Sequence, residues 1–235
     1  MRCKAGLFSR RIIAAATPPD PAFSSVVALL HFEGSEGDTS TNDSSSYSKS
    51  IGFTNSPSIS TAQYRFGSSS LALSGATNQR IAVNSSAVIG ANDFTIEFFV
   101  RFAAVPTTTI NFARWASGFE IRLSDSLYVA RVSTTPFSLS TYSESAPWSP
   151  SLNVWYHVAV CRTANNMRLF VDGEQLGNTV DLGSAFSFPS GNQQFGSASG
   201  LQNHSGHIDE IRVSLADVYS AYAPFTPPTA PFPDA

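Results

Sequence analysis

Carboxylates are the residues of this chain whose type and spacing bear most directly on chemistry. In residues 206–214, GHIDEIRVS, Ile211 and Val213 alternate with Glu210 and Arg212 as in a half-buried strand, and by the same parity Asp209 falls on the apolar side. A carboxylate in that position requires a charge partner, several hydrogen bonds or a metal ion. A second group, Glu33, Glu36, Asp38 and Asp43, lies among Gly, Ser and Asn in EGSEGDTSTNDSSSYSKS. Oxygen-rich loops of this kind hold calcium, although the spacing is not that of an EF-hand, and an ordinary polar loop is the alternative reading.

Catalytic patterns are sought without success. Glycoside hydrolysis needs a pair of carboxyl groups flanking the scissile bond. Glu97 and Glu120 each stand alone on a predicted strand, and no E-x-D-x-x-E run occurs. Of His31, His157, His204 and His207, the last two flank a short Ser-Gly turn, and two imidazoles alone make a poor metal site. The GSASG at 196–200 carries Ala198 where a nucleophile elbow needs serine, and there is no P-loop. The sequence therefore points away from an enzyme.

The elements that must position these groups are strands. Phe, Tyr, Val and Ile are plentiful, Ser and Thr fill the connections, and no window sustains apolar residues at helical spacing. Charged residues make up only 13% of the chain, so Ser, Thr and Asn must cover much of the surface. Arg2, Lys4, Arg10 and Arg11 place four positive charges in the first eleven residues, which leaves about −7 of the net −3 on the remainder. Residues 1–22 end in TPPDP and read as a basic, Pro-rich arm, with residues 23–235 as one domain. Four charges with little aromatic interleaving do not make a nucleic-acid surface. Cys3 and Cys161 give neither a disulfide framework nor metal-ligand spacing. No run reaches transmembrane length, and the short apolar stretch after Arg11 is cut off by Pro18 and Pro19, so no export signal is read.

In chain order, 26–32 reads as a fully buried strand, and 51–53, 66–73 and 81–83 as short strands separated by turns. The clearest alternation is 95–102, where Ile96, Phe98, Val100 and Phe102 face one way and Thr95, Glu97, Phe99 and Arg101 the other. A meander over 110–115, 118–123 and 127–132 follows, then a long Ser/Pro-rich connection at 133–152 that carries Phe137, Tyr142 and Trp148. Loop aromatics of this sort either stack on the C–H face of a sugar or pin the loop to the core. Strands at 155–162 and 167–171, the latter ending in the hairpin dipeptide Asp172-Gly173, lead through a Gly/Ser-rich passage to the closing strand at 208–214. The end, YAPFTPPTAPFPDA, should run extended over the surface.

The order FGSSSLAL, FTIEFFVRF, VWYHVAVCR, MRLFVDGEQLG, GHIDEIRVS and PFTPPTAPFP over residues 25–233 resembles the laminin-G-like jelly-roll domains of the concanavalin A-like lectin/glucanase superfamily. The resemblance implies an all-β, two-sheet antiparallel sandwich whose first and last strands lie close together. It further implies a structural calcium at Asp209, with Gly67 and Glu33 beside it; the metal-free alternative has Asp209 capping loop N–H groups. Similar domains with this ending occur in phage virion proteins. The function so implied is a non-enzymatic virion structural protein, in capsid decoration or a tail or fibre position, docked through Arg2, Lys4, Arg10 and Arg11 of the arm. Its expected partners are other virion proteins and further copies of itself in a symmetric oligomer, with no specific nucleic acid and no membrane. The alternative is a lectin-like adhesion module that binds a host glycan through Trp148 and Tyr142.

Overall fold

The computed structural model describes residues 23–84, 89–104, 109–115, 119–123, 126–131, 142–184, 187, 191–196, 204–219 and 224–234, with the side chains of 126–131 and 142–145 left aside. Alternating apolar residues drive two antiparallel sheets face to face. The nine-stranded sheet contains β1 (Val26–Leu30), β3 (Ser58–Ser60), β4 (Ser70–Ser74), β6 (Phe94–Phe102), β11 (Trp155–Thr163), β12 (Asn166–Val171), β13 (Glu174–Gln175), β14 (Val180–Asp181) and β16 (Ser205–Ser214). The seven-stranded sheet contains β2 (Ile51–Thr54), β5 (Arg80–Val83), β7 (Ile110–Trp115), β8 (Phe119–Leu123), β9 (Ser126–Arg131), β10 (Tyr142–Pro147) and β15 (Gln193–Phe195). Their spatial orders are β13-β12-β11-β6-β16-β4-β3 and β10-β9-β8-β7-β15-β5-β2. Among the described residues the one helical element is a 3₁₀ turn at Phe23–Ser25, and no helix is long and apolar enough to cross a membrane.

The core between the sheets is aromatic. Phe94, Ile96, Phe98, Val100 and Phe102 of β6 face inward, as the alternation requires, with Phe98 5.9 Å from Phe112 and Phe94 6.2 Å from Phe119 between ring centres. The Phe94–Phe119 pair is edge-to-face, a geometry that adds roughly 0.5–1.5 kcal/mol to the burial itself. The sandwich expected from the resemblance is present, and its first and last strands do meet: β1 pairs with β16 from Val26↔Ser214 to Leu30↔Ile211.

The 133–152 connection differs from the reading as one loop. Tyr142–Pro147 forms β10, which pairs with β9 at the edge of the seven-stranded sheet. YSESAP has no alternating apolar side, and its Pro147 is admissible because an edge strand does not need every N–H. Residues 66–69 of FGSSSLAL likewise form a turn, and β4 begins at Ser70.

The parity of Asp209 is corrected by a bulge. Ile208 pairs with Val100 and Asp209 with Phe99, but the next pair is Arg212 with Glu97, so β16 carries extra residues against β6. Glu210, at φ 52°, supplies the kink. Asp209 and Arg212 therefore lie on the outer face with Phe99 and Glu97, while Ile208, Ile211 and Val213 join the core.

That outer face is covered by the C-terminal segment, whose described residues join neither sheet, with Phe232 buried and Phe225 half-buried. Phe232 is packed with Phe99, Val26 and Leu29, and Phe225 stacks on Tyr219 at 3.7 Å and packs on Phe170 and His157. The Asp172-Gly173 turn holds the segment in place, with Phe225 N–H donating to the Gly173 carbonyl at 3.0 Å. Both turn residues have positive φ, 49° and 82°, as the hairpin dipeptide predicts.

Candidate functional site

The acidic residues singled out from the sequence are occupied by hydrogen-bond donors. Asp43 accepts from the N–H groups of Leu29, Ser45 and Lys49 and from the Ser45 hydroxyl. Asp38 accepts from Ser35 N–H, and Glu36 from Thr61 and Ser60. Glu33 lies against Gly67, as the resemblance implied, and accepts from the N–H and hydroxyl of Ser68. A Cβ at Gly67, where φ is +63°, would stand 1.5 Å from the Glu33 carboxylate.

Asp209 sits where one edge of β16 passes from β4 to β1. One oxygen accepts from Arg65 N–H at 2.7 Å and Phe66 N–H at 3.2 Å, the other from Glu210 N–H at 2.9 Å. Burial raises its carboxyl to about 8, against the opposing pull of these N–H groups. The atoms aimed at Asp209 are donors, whereas calcium needs oxygens, so this set fits a loop cap and not a calcium site. Among the described residues no cluster of three or more His, Cys, Asp or Glu side chains could hold a metal.

Beneath the tail lies a buried polar network. Glu97 accepts from Arg212 Nε at 2.7 Å and from the Tyr219 hydroxyl at 2.6 Å, and lies 2.9 Å from His157 Nε2. Burial opposes its ionisation, but the Arg212 charge and these bonds hold its carboxyl below the ordinary value. The other lone strand carboxylate, Glu120, pairs with Arg114 and Arg122. Both glutamates are thus committed to cations. Cys161 is buried, and burial together with Asp217 and Glu97 pushes its thiol up, which fits the structural reading of that residue.

At the far end of the tail, His31 bridges Glu210 at 2.9 Å and Asp234 at 3.1 Å, while Phe232 N–H donates to Glu210. A cleft of about 510 Å³ opens here between His31, Glu33, Gly67 and the tail, but its polar walls are already committed, His31 to Glu210 and Asp234 and Glu33 to Ser68. Burial alone would lower the His31 pKa; the hydrogen bonds and charges of Glu210 and Asp234 outweigh it and raise the value from 6.5 to about 9. A pKa raised on folding gives stability that is complete below pH 6.5 and lost as the pH climbs through 9. Melting temperatures taken from pH 6 to 10 should therefore fall more steeply for the native chain than for His31→Gln. Parallel profiles would refute this clasp.

Beside the tail, one row of the outer face is left partly uncovered, with Trp155 packed against the cluster of Val26, Leu29, Phe99 and Phe232. Trp155 of β11 pairs with Arg101 of β6, and Arg101 with His207 of β16, so the three side chains stand abreast. All three are half-buried, and the Trp155 and His207 rings are 6.4 Å apart. Exposed Leu152 and Val154 precede Trp155, and exposed Tyr64 and Arg65 lie on the turn that meets the row at Ser70. The Ser70 hydroxyl donates to the Gln63 carbonyl at 2.7 Å, so the His207 Nδ1–H must be the donor in its 3.0 Å contact with Ser70, which leaves Nε2 as an acceptor. Burial and the charge of Arg101 lower the His207 pKa to about 4 and keep the ring neutral at pH 7. The row thus offers an aromatic face, a fork of N–H donors and a nitrogen acceptor.

The aromatics chosen from the sequence are placed otherwise. Trp148 packs on the core, 5.8 Å from the Phe102 ring and 5.2 Å from Tyr156, and so pins its loop. Tyr142 begins β10, its side chain outside the described set, and Arg2, Lys4, Arg10 and Arg11 lie outside the described residues. The sequence signal for the partly uncovered row was the alternation itself, which set Arg101 on the polar side of β6; Trp155 opened a strand and was not weighed as a surface group.

A family model of the concanavalin A-like lectin/glucanases superfamily, of laminin-G type, matches residues 74–216. The chain belongs to this superfamily. Among curated proteins none matches the sequence. Solved structures similar to this lectin/glucanase-type domain include the receptor-binding domain of botulinum neurotoxin D, with TM-score 0.66 and 13% identity over 84% of this chain and 50% of that one. A serotype D ligand-binding domain in complex with N-acetylneuraminic acid gives TM-score 0.63 and 12% identity over 84% and 49%. The binding domain of botulinum neurotoxin DC in complex with rat synaptotagmin II gives 0.62 and 13% over 84% and 49%. This superfamily member spans about half the length of those structures, and at such identities the likeness is one of fold.

Proposed function

We propose that this domain is a non-catalytic binding module that recognises a saccharide on the partly uncovered row of its nine-stranded sheet. The observation that carries the reading is the half-buried Trp155–Arg101–His207 row on the outer face. A sugar ring presents a C–H face suited to an indole, and its hydroxyls both donate and accept, as Arg101 and neutral His207 require. The fold is compatible with such a role: a similar domain is described with N-acetylneuraminic acid, and cell entry of a similar type C neurotoxin is described as dependent on two ganglioside molecules. Glu97 and Glu120, the two strand carboxylates weighed for bond cleavage, are tied to cations. On a glycan array the domain should bind a defined set of saccharides, and Trp155→Ala should lose at least about tenfold in affinity while remaining folded. Silence of the native domain on the array would overturn the reading.

A second reading is favoured by the PFTPPTAPFP ending, which resembles that of phage virion components. In it, Arg2, Lys4, Arg10 and Arg11 anchor the chain to other virion proteins, copies associate symmetrically, and the sandwich faces outward from the virion. The two roles are compatible, because docking uses the arm and adhesion uses the sheet. Deleting residues 1–22 should then abolish incorporation into particles and leave the domain folded; normal incorporation of the truncated chain would sink the anchoring role.

A further inference from the structure

Arg101 is distinguished by what its neighbours are already doing. The nearest carboxylates of the outer face are committed elsewhere: Asp209 to the N–H groups of Arg65, Phe66 and Glu210, Glu97 to Arg212, His157 and Tyr219, and Glu36 to Thr61 and Ser60. Among the described residues, the Arg101 guanidinium has no acidic partner. Arg65, another cation of this surface, lies over the rings of Phe66 at 4.8 Å and Phe99 at 5.2 Å and likewise has no acidic partner among the described residues. Phe99 is two residues from Arg101 on the same face of β6, so both guanidinium groups border one patch. An arginine held between an indole and an imidazole, with its fork of N–H donors unspent, is matched by a planar anion better than by a hydroxyl.

Resting on the saccharide reading above, we infer that the ligand of this row carries a carboxylate and that Arg101 is the group that pairs with it. In this arrangement the carboxylate takes the Arg101 fork, the sugar ring lies on Trp155, and a ligand hydroxyl donates to His207 Nε2. Arg65 adds charge at the rim, where it affects the rate of encounter more than the final affinity.

The test uses the full chain on an array of sialylated, uronate-containing and neutral saccharides. The strongest acidic binder and its counterpart lacking the acidic sugar are then titrated by calorimetry. The acidic saccharide should bind at least about tenfold more tightly than its neutral counterpart, and Arg101→Gln should remove most of that difference, weakening the acidic saccharide far more than the neutral one. Arg101→Lys, which keeps the charge and loses the planar fork, should recover only part of it. The sialylated and uronate arms tell which acidic sugar is recognised. Equal binding of acidic and neutral partners, or an equal loss for both in Arg101→Gln, would overturn the carboxylate while the saccharide reading stood. Absence of binding to every saccharide by the folded native chain would overturn the saccharide reading itself.

Discussion

Arg212→Ala is expected to cost about 3–5 kcal/mol of stability, because it strips the cation from a carboxylate that has no access to water. Glu97 is 0% exposed and Arg212 7%, and the pair is joined at 2.7 Å. The same guanidinium lies 4.1 Å from the centre of the Phe232 ring, so its loss also loosens the end of the tail. Left with Tyr219 and His157, Glu97 must take up a proton or strain the sheet. In the native chain its depressed pKa gives stability above the ordinary glutamate range that is lost as the pH falls through the folded value. The variant should lose that term, so its deficit against the native chain should narrow as the pH is lowered toward 4. Arg212→Met combined with Glu97→Gln keeps an acceptor for the Tyr219 hydroxyl and removes both charges, and should recover at least half of the loss. Urea unfolding at pH 7 measures all three; a single variant within about 1 kcal/mol of the native chain would show that the pair is not the anchor of this layer.

Removing residues 224–235 should be as damaging. The segment supplies the half-buried Phe225 and the buried Phe232, and a large-to-small change at a fully buried Phe alone costs about 3–5 kcal/mol. Its removal also exposes Phe99 and Phe170, which are 2% exposed, and opens the Glu97 network to solvent. The sum rivals the whole stability of an ordinary domain, about 5–15 kcal/mol, so the truncated chain should bind hydrophobic dye and lose a cooperative melt. A milder variant separates docking from the rings themselves. Gly173→Ala places a Cβ 1.8 Å from the Phe225 carbonyl oxygen at a φ of +82°, which should lift the tail from its turn and lower the unfolding midpoint without deleting an aromatic side chain. An unchanged midpoint in both variants would mean that the tail merely lies on the sheet.

The sandwich was legible because β6 and β11 alternate without interruption and because the Asp172-Gly173 turn has few alternatives to a hairpin. The outer-face residues Glu97 and Phe99 were also assigned to the correct side. What the pattern did not disclose is why they are buried: the cover comes from residues more than a hundred positions away, joined by single contacts such as Phe99 with Phe232. The bulge at Glu210 was hidden for another reason. A positive φ is ordinarily announced by Gly or Asn, and here it falls on Glu, whose side chain is held by His31 and Phe232 N–H. Counting parity across it therefore put Asp209 on the wrong face. Aromatics in a loop, such as Trp148, are conspicuous in the sequence, whereas Trp155 stands at the start of a strand whose following residues are buried, and nothing in the pattern marks it as half-exposed.

The position of β16 has a kinetic consequence. It is the last strand among the described residues, yet it lies between β6 and the pair β4 and β1, which follow one another along its other edge. A ribosome must release almost the entire domain before these three earlier strands gain their common neighbour, and the loop then closed, from Val26 to Ser214, spans nearly the whole domain. Folding should be slow for a chain of this size, with the edges of β1, β4 and β6 open to wrong partners until the final strand arrives.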